Sequence, residues 1–199
     1  TRRQQWPKGR AFAEYAAVVV EALAPAVSTF FTLNEPWCAA FLGHASGVHA
    51  PGHQDPAQAL AAVHHLNLAH GLGARAIRAA APSARLGLTL NLAWVRPPAT
   101  DDTDDTDAVR RVDGLANRIF LGPVLDGRYP ADVIADTAAV SDWSFVRAGD
   151  VELIHQVPDL LGVNYYTPTV VREWAGTSPQ QRQDGHGGAV AAAAHRRTV

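Results

Sequence analysis

The chain has 199 residues, 47% of them hydrophobic and 18% charged, which suits one globular domain with a sizeable core and excludes a chain disordered throughout. A formal net charge of -2 and the lack of any Lys/Arg block leave nucleic acid or an anionic membrane without electrostatic support as partners, and a sugar or other neutral small molecule fits better. A single cysteine excludes an internal disulfide, and with no signal-peptide pattern and no apolar stretch of about 18 residues the sequence predicts a soluble, cytoplasmic protein.

Residues 8–24 read as a helix, with Phe12, Tyr15, Ala16, Val19 and Leu23 at helical spacing and Pro25 ending the run. Residues 28–33, rich in β-branched and aromatic side chains, read as a buried strand. It stops at Asn34-Glu35 and is closed by Pro36, which has no N–H to extend a ladder. Residues 37–54 form a long loop, and loops of that length in compact domains are usually functional. Asp55 is placed as an N-cap, with Pro56 at the first helical position and Gln58 closing a capping box; the helix runs through Leu60, Val63, Leu66, Gly73 and Ile77 and stops before Pro82. Residues 85–90 are a second strand, ending at Asn91.

The acidic run Asp101 to Asp107 lacks the spacing of a calcium loop and reads instead as the N-terminal flank of a helix over 108–121, where the dipole favours carboxylates. Residues 122–130 are turn-rich. Short helices are expected at 131–137 and 151–156, then a third strand at 160–165. From Gly176 onward the chain is Gln-, Gly-, His- and Ala-rich with little periodicity, so 1–176 is the structured part and 177–199 a loop or loose tail.

Helices alternating with strands predict an α/β fold, a parallel sheet covered by helices. All three strands end in polar groups: Asn34-Glu35, Asn91, and Asn164 followed by Tyr166. Side chains two apart share a face, so Asn164 and Tyr166 point the same way. Carboxylate, amides and phenol converging on one rim would make a polar pocket of the kind barrel enzymes build at their strand ends.

The segments TLNEPW, AFLGHASGVHAPG, NLAW, VDGLANRIFLGPVLDGRYP and LLGVNYYTP, in that order over residues 10–169, resemble the β-glucosidase family of retaining glycosidases, glycoside hydrolase family 1. The resemblance implies a partial (β/α)8 TIM barrel, about strands 4 to 6 with their helices, acting on a terminal β-D-glycoside or oligosaccharide without a cofactor or metal. It implies that Glu35 is the general acid/base and that Asn34 binds the sugar 2-hydroxyl. It implies further that Tyr166 positions the nucleophile, that Asn91 and Asn164 line the pocket, and that Trp37 helps form the aglycone side. Such an enzyme needs a second carboxylate roughly 5 Å from the first. The family nucleophile stands in a Glu-Asn-Gly context, and no Glu-Asn-Gly occurs in this sequence. Glu173, the only glutamate after Asn164, stands in a different setting. The sequence also holds no methionine and reads as an internal piece, inactive alone; the alternative is a non-catalytic remnant that at most binds sugar or protein.

Histidines 44, 49 and 53 share the long loop, and 64, 65 and 70 share one helix, but the four-residue spacing with an acidic partner that marks a zinc helix is absent; they read as loop-shaping or hydrogen-bonding groups, and the resemblance implies that His49 fixes the loop near the aglycone site. Cys38 reads as an inert packing residue, since no partner base is evident.

Overall fold

The computed structural model describes residues 7–98, 103–173, 181–183 and 189–191. Helix α1 (Pro7–Leu23) lies within one residue of its expected bounds at each end. Its buried line differs from the expected stripe. Ala16 and Val20 enter the core with Ala74 and Ile77 of the next helix, whereas Tyr15 and Leu23 are 64% and 47% exposed. The reason is closeness: small side chains let two helices approach, and the Phe12 ring covers Gly73, where a Cβ would stand 2.6 Å from it.

Strand β1 (Thr29–Asn34) follows, then the region expected to be a loop. That expectation is corrected: Cys38–Ala45 winds as a π-type helix, because Ala40, Leu42 and Gly43 are buried and must satisfy their backbone groups internally. Helix α2 (Pro56–Ala80) begins where Asp55 accepts the N–H groups of Ala57 at 2.9 Å and Gln58 at 3.2 Å. The capping box is not reciprocal in the expected way. The Gln58 amide donates to the Asp55 carboxylate, and the Asp55 N–H goes to the His44 carbonyl.

Strand β2 (Arg85–Leu90) has its expected bounds. Beyond it come β3 (Val95–Arg96) and α3 (Thr103–Asp113). The helical path then continues through a π-type turn at Gly114–Arg118, α4 (Ile119–Leu121) and a second π-type turn at Gly122–Asp126. The single helix expected over 108–121 is therefore longer and twice widened, and the acidic run lies partly inside it. There Asp105 accepts the Glu173 N–H, and Asp107 pairs with Arg110 and Arg111; residues 101 and 102 lie outside the described residues. Helices α5 (Ala131–Asp136) and α6 (Asp150–Ile154) lead to β4 (Leu160–Val163) and β5 (Thr169–Val170). Within the segment read as loop or tail, β6 (Gln181–Gln183) pairs antiparallel with β7 (Ala189–Ala191).

The main sheet is parallel, in the order β1-β2-β4. Phe30 stands level with Leu86, and Leu88 with Leu161. A register shift between Phe31 and Asn34 brings Asn34 level with Thr89. Phe30, Thr32, Leu86, Leu88 and Leu90 are buried on the helix-covered side. Helix α2 crosses α6 so closely that a Cβ on Gly71 would stand 2.1 Å from the Leu153 carbonyl oxygen. The short β3 and β5 also run parallel, extending the rim beyond Asn91 and Asn164. No helix among the described residues is long and apolar enough to cross a membrane.

Candidate active site

Glu35 follows the last residue of β1 and has a left-handed backbone, φ 50°, a region that non-glycine residues enter at a cost of about 1–3 kcal/mol. The conformation is fixed on both sides. The Glu35 N–H donates to the Thr89 carbonyl of β2 at 3.0 Å, and its carbonyl accepts the Cys38 N–H at 3.0 Å. The chain thereby turns out of the strand and into the Cys38–Ala45 helix, and the carboxylate projects across the strand ends.

Its partners come from the far edge of the sheet. Asn164 lies directly after β4, where its N–H continues the ladder onto the Leu90 carbonyl at 2.9 Å. Its side-chain amide donates to Glu35 Oε1 at 2.7 Å and to Asn34 Oδ1 at 3.1 Å. The Tyr166 hydroxyl donates to the same Oε1 at 3.2 Å, and the bond to a carboxylate raises the phenol above its ordinary pKa. Tyr166 is 75% exposed, so this rim is open to solvent. Asn34, Glu35, Asn164 and Tyr166 therefore form one hydrogen-bonded group drawn from two non-adjacent strands.

Asn91 and Trp37 stand at one remove. The Asn91 amide points at Cys38 Sγ, 3.9 Å away. Trp37 is half-buried and stacks on Phe41 at 5.5 Å between ring centroids; with Val112, Leu115 and Ala116 these rings line a pocket of about 180 Å³. Sequence reasoning missed the thiol. Cys38 Sγ is 3.5 Å from Glu35 Oε2, and burial, helped by the bond to Glu35 and its charge, pushes the thiol up to about 11. Its position three residues after Glu35 would have been a signal only if the helical turn there had been foreseen.

Among the described residues no three His, Cys, Asp or Glu side chains are grouped to hold a metal ion. His64 donates from Nε2 to Asp150 at 2.9 Å and accepts from the Tyr129 hydroxyl at 2.9 Å, while His70 bridges Thr32 Oγ1 at 2.7 Å and the Gln156 carbonyl at 3.0 Å. Burial lowers the pKa of both rings, His70 to about 4. Glu173 pairs with Arg111.

A parallel sheet backed by helices, with a carboxylate held at the C-terminal strand ends, defines part of a (β/α) barrel of the enzyme type. The model of glycosyl hydrolase family 1 matches residues 9–197, and the chain belongs to that family. It is 47% identical over 161 residues to the bifunctional β-D-glucosidase/β-D-fucosidase of Bifidobacterium breve, covering 80% of this chain and 34% of that one. It is 46% identical over 184 residues to thermostable β-glucosidase B of Thermobispora bispora, covering 89% and 35%. The solved psychrophilic β-glucosidase of Micrococcus antarcticus superposes with a TM-score of 0.79 at 38% identity, over 97% of this chain and 44% of that one. The chain thus spans about a third of the length of these curated relatives.

Proposed function

We propose that these residues are the acid/base half of a retaining β-glycosidase acting on terminal β-D-glucosides and related β-glycosides. The observation that carries the reading is the grip on Glu35, a carboxylate at a strand end held by Asn164 and Tyr166. In the reaction Glu35 gives its proton to the leaving glycosidic oxygen and then takes one from the water that releases the sugar. Asn34 binds the sugar 2-hydroxyl, a contact that accelerates the reaction to the extent that it tightens in the transition state. Asn91 and Asn164 line the sugar pocket, and the Trp37 ring offers an apolar face to the aglycone. Tyr166 orients the nucleophile, a second carboxylate that this sequence does not supply in its family context. The 199-residue chain alone therefore turns over no glycoside.

The test is hydrolysis of aryl β-glucosides of graded leaving-group ability by a complete barrel containing this segment, with and without Glu35→Gln. The variant should lose roughly 10²- to 10⁴-fold on poor leaving groups, the usual contribution of a general acid, and much less on activated ones. Equal turnover on all substrates removes Glu35 from the mechanism. A complete barrel that binds β-glucosides and hydrolyses none would leave a sugar-binding protein.

A further inference from the structure

The two oxygens of Glu35 are held differently. Oε1 takes both the Asn164 amide and the Tyr166 hydroxyl, at 2.7 and 3.2 Å. Oε2 faces Cys38 Sγ at 3.5 Å, and the Asn91 amide donates to the same sulfur at 3.9 Å. A thiol carries one weak donor and weak acceptor capacity, so a chain from Asn91 through sulfur to Glu35 satisfies both. The Cys38 backbone is also fixed beside Glu35, because its N–H is bonded to the Glu35 carbonyl at 3.0 Å. Glu35 sits on a left-handed backbone, and its carboxylate is held by Asn164, Tyr166 and Cys38.

We propose that Cys38 is a positioning residue for the acid/base: its S–H, oriented by Asn91, pins Oε2 and so keeps Oε1 on Asn164 and Tyr166. The inference rests on the reading of Glu35 given above and extends it to a residue outside the sugar pocket. Because a thiol is a weak donor, it orients the carboxylate without competing strongly for the proton that Glu35 must pass on.

Cys38 is the sole cysteine, so the infrared S–H band of the 199-residue chain reports this site alone. The band should lie below the frequency of a free thiol in water-free surroundings and move back toward it in Glu35→Ala. In parallel, the Tyr166 phenol, raised by its bond to Glu35, is titrated by NMR on ring-labelled chain. Cys38→Ala should let the carboxylate turn and bring Tyr166 back toward its ordinary titration, and Cys38→Ser, which keeps a donor, should restore the shift. An unshifted S–H band in the unaltered chain overturns the proposal without recourse to any variant. Unchanged Tyr166 titration in a folded Cys38→Ala also overturns it. Neither readout needs turnover: loss of the Glu35→Gln effect on hydrolysis would remove the acid/base role and leave the contact, whereas an unshifted band would remove Cys38 and leave the acid/base role.

Discussion

Glu35 gets its backbone from one pair of neighbours and its side-chain direction from another. Thr89 and Cys38 fix the left-handed turn through main-chain bonds; Asn164, Tyr166 and the Cys38 thiol hold the carboxylate. The second set works in both directions, since Glu35 in turn raises the thiol. Glu35→Gln removes the charge and weakens the bond while leaving the burial, which is the largest cause, so the Cys38 pKa should fall only part of the way from about 11. Alkylation by iodoacetamide at pH 8.5 should then run roughly three- to tenfold faster, a fall of half to one pH unit in thiolate formation. An unchanged rate would place the carboxylate away from the sulfur. At this scale the sequence made Asn164 and Tyr166 legible through alternation, since side chains two apart share a face, and Asn34 and Glu35 legible as the polar end of an apolar strand closed by Pro36. The Asn91 to Cys38 contact and the Trp37 to Phe41 stack were not legible, because both depend on the helical winding after Pro36, where no strand period applies.

Helix α2 ties distant parts of the chain together, and it does so with histidines. His70 joins Thr32 of β1 to the Gln156 carbonyl ahead of β4, and His64 joins Asp150 to Tyr129. Both rings are neutral in these roles, since one nitrogen donates and the other accepts. His70 is 1% exposed, and burial, with the nearby Arg78 charge adding to it, lowers its pKa to about 4. The unfolded chain therefore binds a proton between about pH 6.5 and 4 that the folded chain refuses. The stability that neutral His70 provides is complete above pH 6.5, drains as pH falls, and is lost by pH 4. The ceiling is of order 3 kcal/mol, from 2.5 units at 1.36 kcal/mol each. His70→Asn should flatten the fall of the thermal midpoint between pH 6.5 and 4, whatever its own midpoint at neutral pH; an equally steep fall would assign the acid sensitivity to other groups. The helix itself was readable from its period and from Asp55-Pro56. The path from α3 to Asp126 was not, because two π-type turns, each opening at a glycine, break the 3.6-residue repeat on which such a reading depends. Arg110 and Arg118, paired with Asp132 from α5, hold that widened path in place; the two guanidinium groups, Arg118 foremost, keep the Asp132 carboxyl well below the usual carboxylate range.

For the whole molecule, alternation of helix and strand was enough to predict a parallel sheet covered by helices, since strands joined through a helix run the same way. The two-residue strands β3 and β5 were beyond reach, as two residues carry no period. What the sheet lacks is cover. Its helix-facing side is closed over β1 and β2, but on β4 the matching Leu161 and Val163 are 41% and 54% exposed, and Phe31 on the opposite face is 48% exposed. Edge strands β1 and β4 also keep one side of their backbone unpaired within the main sheet. Apolar side chains beside an unpaired edge invite another chain to add to the ladder, and each apolar Å² covered in doing so contributes about 25 cal/mol. The 199-residue chain should therefore self-associate: sedimentation velocity at rising concentration should shift from monomer to larger species, with a broad thermal transition. Leu161→Lys, which sets a charge on the β4 edge and leaves the Glu35 group untouched, should reduce the association. A concentration-independent monomer that melts in one sharp transition would mean that the open faces are covered in solution.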